Sequence, residues 1–277
     1  KHLRHLQNQL EQTQYFNNIV IDPKNNQAID GIIPVAVNIE KTQNHRFDFG
    51  IGYATDTELR VSAGWKTPLV NRYGHKQKTK ITYSKINPVG KFNYTIPLSH
   101  PLNDVLQFEL RLEDDIYGVL NSKYWSAQLG RTKNNERFIS EYYLRYLQED
   151  WQLNNQDYYS KYYLPGMTWS KVTRSGDPIN PSKGFSQYYN IEFSHKNIGA
   201  DASFIRFYAK WKYIHSINDK HRLVARAEMG FLDLDRADFE QISPSLRFFT
   251  GGDESIRGFA YQSIGASIPN PQYLLGD

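Results

Sequence analysis

Histidines and carboxylates are the side chains best able to do chemistry, and this chain spaces them poorly for it. The eight histidines, His2, His5, His45, His75, His100, His195, His215 and His221, never form H-E-x-x-H, the pattern that sets two imidazoles and a base on one zinc ion. His2 and His5 share a short helical segment that reads as surface. Asp114-Asp115 and Asp253-Glu254 are adjacent carboxylate pairs, and in loops such pairs read as solvated or cation-attracting rather than as acid and base. No G-x-S-x-G elbow, Walker loop or dinucleotide fingerprint occurs. With no cysteine there is no thiol nucleophile, thiolate metal site or disulfide framework. These residues point away from an enzyme, and neither a metal nor a cofactor is expected.

A different kind of site is offered by Arg247-Phe-Phe-Thr-Gly-Gly-Asp-Glu-Ser-Ile-Arg-Gly-Phe259. Gly251 and Gly252 permit a backbone path through positive φ, and the lone cation Arg257 stands between Ile256 and Gly258-Phe259, just after Ser255. A guanidinium is a rigid fork of donors, so the chemistry here is positioning against fixed acceptors. Taken alone, the segment, opened by Arg247 and Phe248, reads equally well as a long glycine-containing hairpin loop. A second patterned stretch, Asp177-Pro178-Ile-Asn-Pro181-Ser-Lys-Gly184-Phe185, carries dense turn signals. With its flanks from Arg174 to Gly184 it reads as one of the larger loops, the other being Leu232 to Gln262.

The elements that position these segments change character near residue 42. Leu3, Leu6 and Leu10 recur at helical spacing from His2 to Tyr15, and Tyr15-Phe16 closes that helix. Two short β-type runs follow, Ile19–Ile21 and Ile33–Ile39, separated by a turn at Asp22-Pro-Lys-Asn-Asn. One helix and two strands make too small a core to stand alone, so residues 1-41 are read as the tail of an α/β domain. Beyond them the period becomes two. Leu59, Val61, Ala63 and Trp65 oppose Glu58, Arg60, Ser62 and Gly64; Leu106, Phe108, Leu110 and Leu112 oppose Gln107, Glu109, Arg111 and Glu113. The pattern repeats through about eleven consecutive strands with polar linkers and no intervening helix. Short connections at Thr55-Asp56-Thr57, Ile86–Gly90 and Ile217–Lys220 suit an up-and-down arrangement.

A soluble β-sandwich alternates too, and three features favour a membrane instead. The strands are long, the polar face carries charges of both signs, and Tyr and Trp gather toward strand ends as a girdle would. Among 277 residues there are 20 Tyr, 15 Phe and 5 Trp but only 2 Met, and no apolar run reaches the 18 or more residues of a spanning helix. Lipid forbids open sheet edges, so such a chain is expected to close. The net charge of +4 is mild and spread over polar-face positions, which argues against nucleic acid. The absence of cysteine suits a reducing or an oxidising compartment equally, and no basic-apolar-small leader opens the chain at Lys1.

The two patterned stretches together resemble the barrel of the POTRA-plus-barrel outer-membrane assembly superfamily. The first matches its D-P-x-x-P-x-x-G-[FY] hairpin, and the second its R-F-x-x-G-G-x-x-S-[VI]-R-G-[FY] loop. The helix with Leu3, Leu6 and Leu10 and the wording Ser255–Ile264 are similar to the translocation and assembly module branch, the TamA type. The resemblance implies an all-β transmembrane antiparallel barrel, about 11–12 of an expected sixteen strands at 42-277, preceded at 1-41 by the C-terminal part of a POTRA domain. It also implies that the loop at about 236-265 folds into the lumen, with Arg257 meeting polar groups of the inner wall, some on strands beyond Asp277. The implied role is outer-membrane protein assembly or translocation, in contact with outer-membrane lipid, client proteins and a TamB-like partner anchored in the inner membrane, with the N-terminal segment in the periplasm. A two-partner secretion transporter or passive pore is the alternative, and a soluble all-β binding protein a remoter one.

Overall fold

The computed structural model describes residues 2–54, 58–117, 120–135, 137–153, 155–177, 179–218, 220–234, 236–252 and 255–265. Helix α1 (His2–Thr13) ends where Gln14 turns into the left-handed region at φ 60°, and Thr13 Oγ1 donates back to Leu10 O at 2.6 Å. Strands β1 (Phe16–Pro23) and β2 (Val35–Lys41) then pair antiparallel as a separate two-stranded sheet.

The remaining strands form one eleven-stranded sheet in strict chain order, every neighbour antiparallel. They are β3 (Arg46–Ala54), β4 (Glu58–Thr67), β5 (Lys76–Ser84), β6 (Val89–His100), β7 (Asp104–Tyr117), β8 (Leu120–Asn134), β9 (Ile139–Leu153), β10 (Gln156–Gly176), β11 (Pro181–Ser194), β12 (Phe204–Ser216) and β13 (Arg222–Leu234). Register keeps the two chemistries apart. Leu110 lies opposite Phe92 and Ala127, while its neighbour Glu109 lies opposite Asn93 and Gln128. Phe207 faces Ile191 and Phe231, while Arg206 faces Glu192. A slip of one residue would exchange the faces along a whole strand.

The apolar rows are bare. Phe49 and Ile51 are 82% and 83% exposed, and Leu112, Leu129, Leu144 and Phe231 are exposed too. A sandwich would bury that face under a second sheet, but the only other sheet among the described residues is the β1–β2 pair. Buried apolar side chains gather on the opposite, polar side, where Leu147, Tyr162, Leu164 and Phe204 meet Ile242 and Leu246 from the chain after β13. That side is termed inward below.

Strict alternation sorts the connections onto two ends. One end carries the turns at 68–75, 177–180 and 217–221, and there Tyr15 donates its hydroxyl to Gly74 O at 2.8 Å while Lys76 lies 4.8 Å over the Tyr15 ring. The segment after β13 starts from the other end. One expectation is corrected here. Arg174–Gly184 is no long loop: Arg174 pairs with Gly184, Ser175 with Lys183 and Gly176 with Pro181, leaving a tight reversal. The cause is local, since Asp177 accepts the backbone N–H groups of Ile179 (2.7 Å) and Asn180 (3.1 Å) and Gly176 takes φ 90°. At the Ile217–Lys220 turn, Asn218 Oδ1 accepts the N–H groups of Lys220 and His221. Thr55-Asp56-Thr57 lies outside the described residues.

Candidate functional site: a loop clamped to the inward wall

After β13 the chain makes two 3₁₀ turns, Arg236–Gln241 and Pro244–Leu246, and these lie against the inward rows of β9 to β13. Three clamps hold them. On β10, Ser160 Oγ and Tyr162 OH both donate to Gln241 O at 2.7 Å, and Ser243 N donates to the Tyr162 oxygen at 3.2 Å. On β9, the fully buried Glu149 accepts Ser245 N at 3.1 Å together with the hydroxyls of Ser245 and of Ser122 from β8. On β12, Arg206 donates from Nε to Leu246 O at 2.8 Å. At the rim, Lys196 and Asp238 form an ion pair at 2.5 Å.

Arg206 is itself fixed from behind. Glu192 on β11 is 2% exposed and lies between two guanidinia, Arg145 Nη2 at 2.6 Å and Arg206 Nη1 at 3.2 Å, with Tyr143 OH donating at 2.8 Å. A buried carboxylate is tolerable only when so compensated, and the compensation fixes the rotamer that reaches the loop. The same guanidinium sits 4.9 Å from the Phe248 ring, which stacks on Tyr208 at 6.1 Å and 14°. Phe248 fits because β13 has glycine beneath it: a Cβ on Gly230 would come within 2.5 Å of the ring. Farther out, Phe239 and Phe249 pack on Leu120 and Trp151.

The patterned residues divide into two groups. Arg247 is buried and braces the loop itself, donating from Nε to Ile242 O (2.9 Å) and from Nη2 to Phe239 O (2.8 Å). Gly251 (φ 120°) and Gly252 (φ 96°) turn the chain back, and a Cβ on Gly251 would lie 2.3 Å from Ala260 O. Gly252 N bonds Phe259 O at 3.0 Å, and Ser255 Oγ accepts Gly251 N at 2.9 Å. Ile256, Arg257, Gly258 and Phe259 form an exposed tip, while the wall clamps given above come from residues 238–248. Asp253 and Glu254 lie outside the described residues.

The hairpin motif stands at the opposite end of the strands. Asp177 caps the reversal, its two backbone donors holding the carboxyl below the ordinary aspartate range. Pro181 opens β11, Gly184 lies between Arg174 and Ile214, and Phe185 between Thr173 and Tyr213; Pro178 lies outside the described residues. Asn180 also accepts a hydrogen bond from Arg222, the first residue of β13, at 2.5 Å. The two motifs thus start from opposite ends of the strands. Sequence reasoning missed Glu149, Tyr162, Arg145 and Tyr143. A signal existed, because the inward row Arg145, Leu147, Glu149, Trp151 mixes charge with bulk, as only a wall covered by something would.

A sheet with a continuous bare apolar face, a polar opposite face and a long connection folded over that polar side is the wall of a transmembrane antiparallel β-barrel. Residues 35–277 match the family model for the Omp85 superfamily domain, and the chain belongs to that superfamily. Its structure is similar to that of BamA from Haemophilus ducreyi lacking POTRA domains 1–3, with a TM-score of 0.74 at 15% identity. The match covers 95% of this chain and 55% of that one, a likeness of fold over about half the other protein's length. Family and barrel together place the chain in the bacterial outer membrane.

Proposed function

We propose that this chain is the barrel-forming part of an outer-membrane assembly or translocation factor that acts by strand pairing and without covalent chemistry. The observation that carries the reading is the thin first strand. In β3 the inward row holds Gly50 and Gly52 while the apolar row is exposed. Strand glycines weaken packing, so β3 parts from a neighbour at low cost and then presents N–H and C=O groups that hydrocarbon cannot satisfy. An incoming strand satisfies them by β-augmentation.

In this reading the N-terminal helix and two-stranded sheet are the end of a periplasmic POTRA domain. The finer assignment is a TamA-type member, whose clients are outer-membrane or secreted proteins and whose partner is a TamB-like protein anchored in the inner membrane. The Ser255–Ile264 wording supports it. The second reading, a passive pore, is disfavoured by the clamped loop, which takes up inward space along β9 to β13. Reconstitution separates the two. The full-length protein in lipid vesicles should speed insertion of an unfolded outer-membrane barrel client while showing no steady large conductance in planar bilayers. A stable open conductance without faster insertion would overturn the assembly role.

A further inference from the structure

The inward wall has a second region, on β3 to β6, apart from the clamps described above. The loop's hydrogen bonds to strands fall on β9, β10 and β12 among the described residues. Across β3 to β6 the inward rows carry Arg46, Arg60, Lys66, Lys78, Lys80 and Lys91 against two carboxylates, Asp48 and Glu58. Both carboxylates are engaged, Asp48 by Lys66 at 2.6 Å and Glu58 by Lys85 of the next turn at 3.1 Å. Arg46 is drawn toward the N-terminal module by Asn17 at 2.9 Å. Lys78, Lys80 and Lys91 make no ion pair among the described residues, and Lys78 and Lys80 are exposed.

Register makes this costly. Lys66 lies directly opposite Lys78, Lys80 opposite Lys91, and Lys91 opposite Arg111. Like charges at directly opposed positions destabilise a sheet; Lys66 is offset by Asp48 and Arg111 by Glu113, which leaves Lys80 and Lys91 as the opposed pair with no ion pair among the described residues, where alternation would as readily accept Gln or Thr. Neighbouring strands are about 4.8 Å apart and alternate residues of a strand about 6.8 Å apart, so Lys78 and Lys80 are spaced by about 6.8 Å along β5 and Lys91 stands about 4.8 Å across from Lys80. Carboxylates on alternate residues of an extended chain have the same spacing as Lys78 and Lys80.

We propose that the β3–β6 inward wall is a binding surface for an acidic polypeptide segment in extended conformation, its alternate carboxylates set over Lys78 and Lys80 along β5, with Lys91 beside Lys80 on β6. Naming the occupant as a passing client segment rests on the assembly reading; the site itself is defined by the charge cluster. A peptide fits better than a lipid phosphate, because the cluster lies on the polar face and the apolar rows lie on the other.

The test uses the full-length protein in lipid nanodiscs and a fluorescein-labelled peptide of alternating Glu and Val, read by anisotropy. The Glu/Val peptide should bind and its Lys/Val counterpart should not, and affinity should fall as salt rises. The triple variant K78Q/K80Q/K91Q should weaken binding at least tenfold, while K123Q/K171Q/K220Q, with the same charge loss off this wall, should leave it intact. Because it removes like-charge repulsion, the first triple should also unfold at equal or higher urea. Equal loss in both triples, unchanged binding in the first, its destabilisation, or competition by inorganic polyphosphate as strong as by the peptide would each overturn the proposal. Binding without assembly activity would count against the assembly function and not against this site; assembly activity without binding would count the other way.

Discussion

At the scale of single residues, the loop's seat depends on a side chain that is missing. Gly230 leaves a recess on β13 that the Phe248 ring fills, with Tyr208 stacked on one face and the Arg206 guanidinium 4.9 Å away. Such stacking and cation–π contacts are worth about 0.5–1.5 kcal/mol each beyond the area buried. Gly230→Ala puts a methyl where the ring stands, and Phe248→Ala removes the ring, so each single change should cost about 1–3 kcal/mol in urea unfolding. The pair shares one cause. The double variant should therefore cost less than the sum by about 1 kcal/mol or more, and strictly additive losses would mean that the ring does not rest on Gly230.

At the scale of elements, the β10–β11 hairpin shows what sequence conveys and what it hides. Period-two alternation survives any register, so the strands from β3 to β13 were legible from hydrophobicity alone. The reversal at Asp177 was misjudged because D-P-x-x-P reads as loop, whereas one Asx cap closes it within four residues and frees Gly184 and Phe185 to pair. The loop motif was equally legible as a loop, but its seat was not. Glu192 meets Tyr143 and Arg145 of a strand two places away, and Arg206 meets Leu246 across forty positions, pairings that exist only once register is fixed. The Asp177 cap makes a pH prediction. Its folded pKa is depressed below the ordinary 3.8, so the stabilisation is fully present above that value and is lost as pH falls through the lower folded pKa. Amide exchange at Ile179 and Asn180, corrected for intrinsic rate, should rise over that acid window in the wild type. Asp177→Asn, which keeps an acceptor but cannot titrate, should flatten the dependence; an unchanged pH profile in that variant would show that another group governs the hairpin.

At the scale of the whole molecule, one asymmetry organises everything else: among the described residues, one face is bare and the other is crowded with partners. The bare rows hold Phe49, Ile51, Leu112 and Phe231, while the opposite rows bury Glu149 and Glu192 under a loop of the same chain. Soluble folds invert this, because water rewards burying the apolar rows and solvating the charged ones. The arrangement is stable only if the medium outside is itself apolar and the medium inside is wet. The same substitution on neighbouring positions of one strand measures the difference. Leu110 lies midway along β7 in the apolar row, and Gln107 lies three residues earlier in the inward row, opposite Thr95 and Gly130. Leu110→Arg should cost about 2–4 kcal/mol when unfolding is followed from lipid bilayers, the range for a guanidinium at the midplane of a barrel's lipid face. Gln107→Arg points its charge into the hydrated interior and should change stability by less than about 1 kcal/mol. Equal effects from the two would mean that both faces of the sheet see the same solvent, and the barrel assignment, with the assembly function built on it, would fail together.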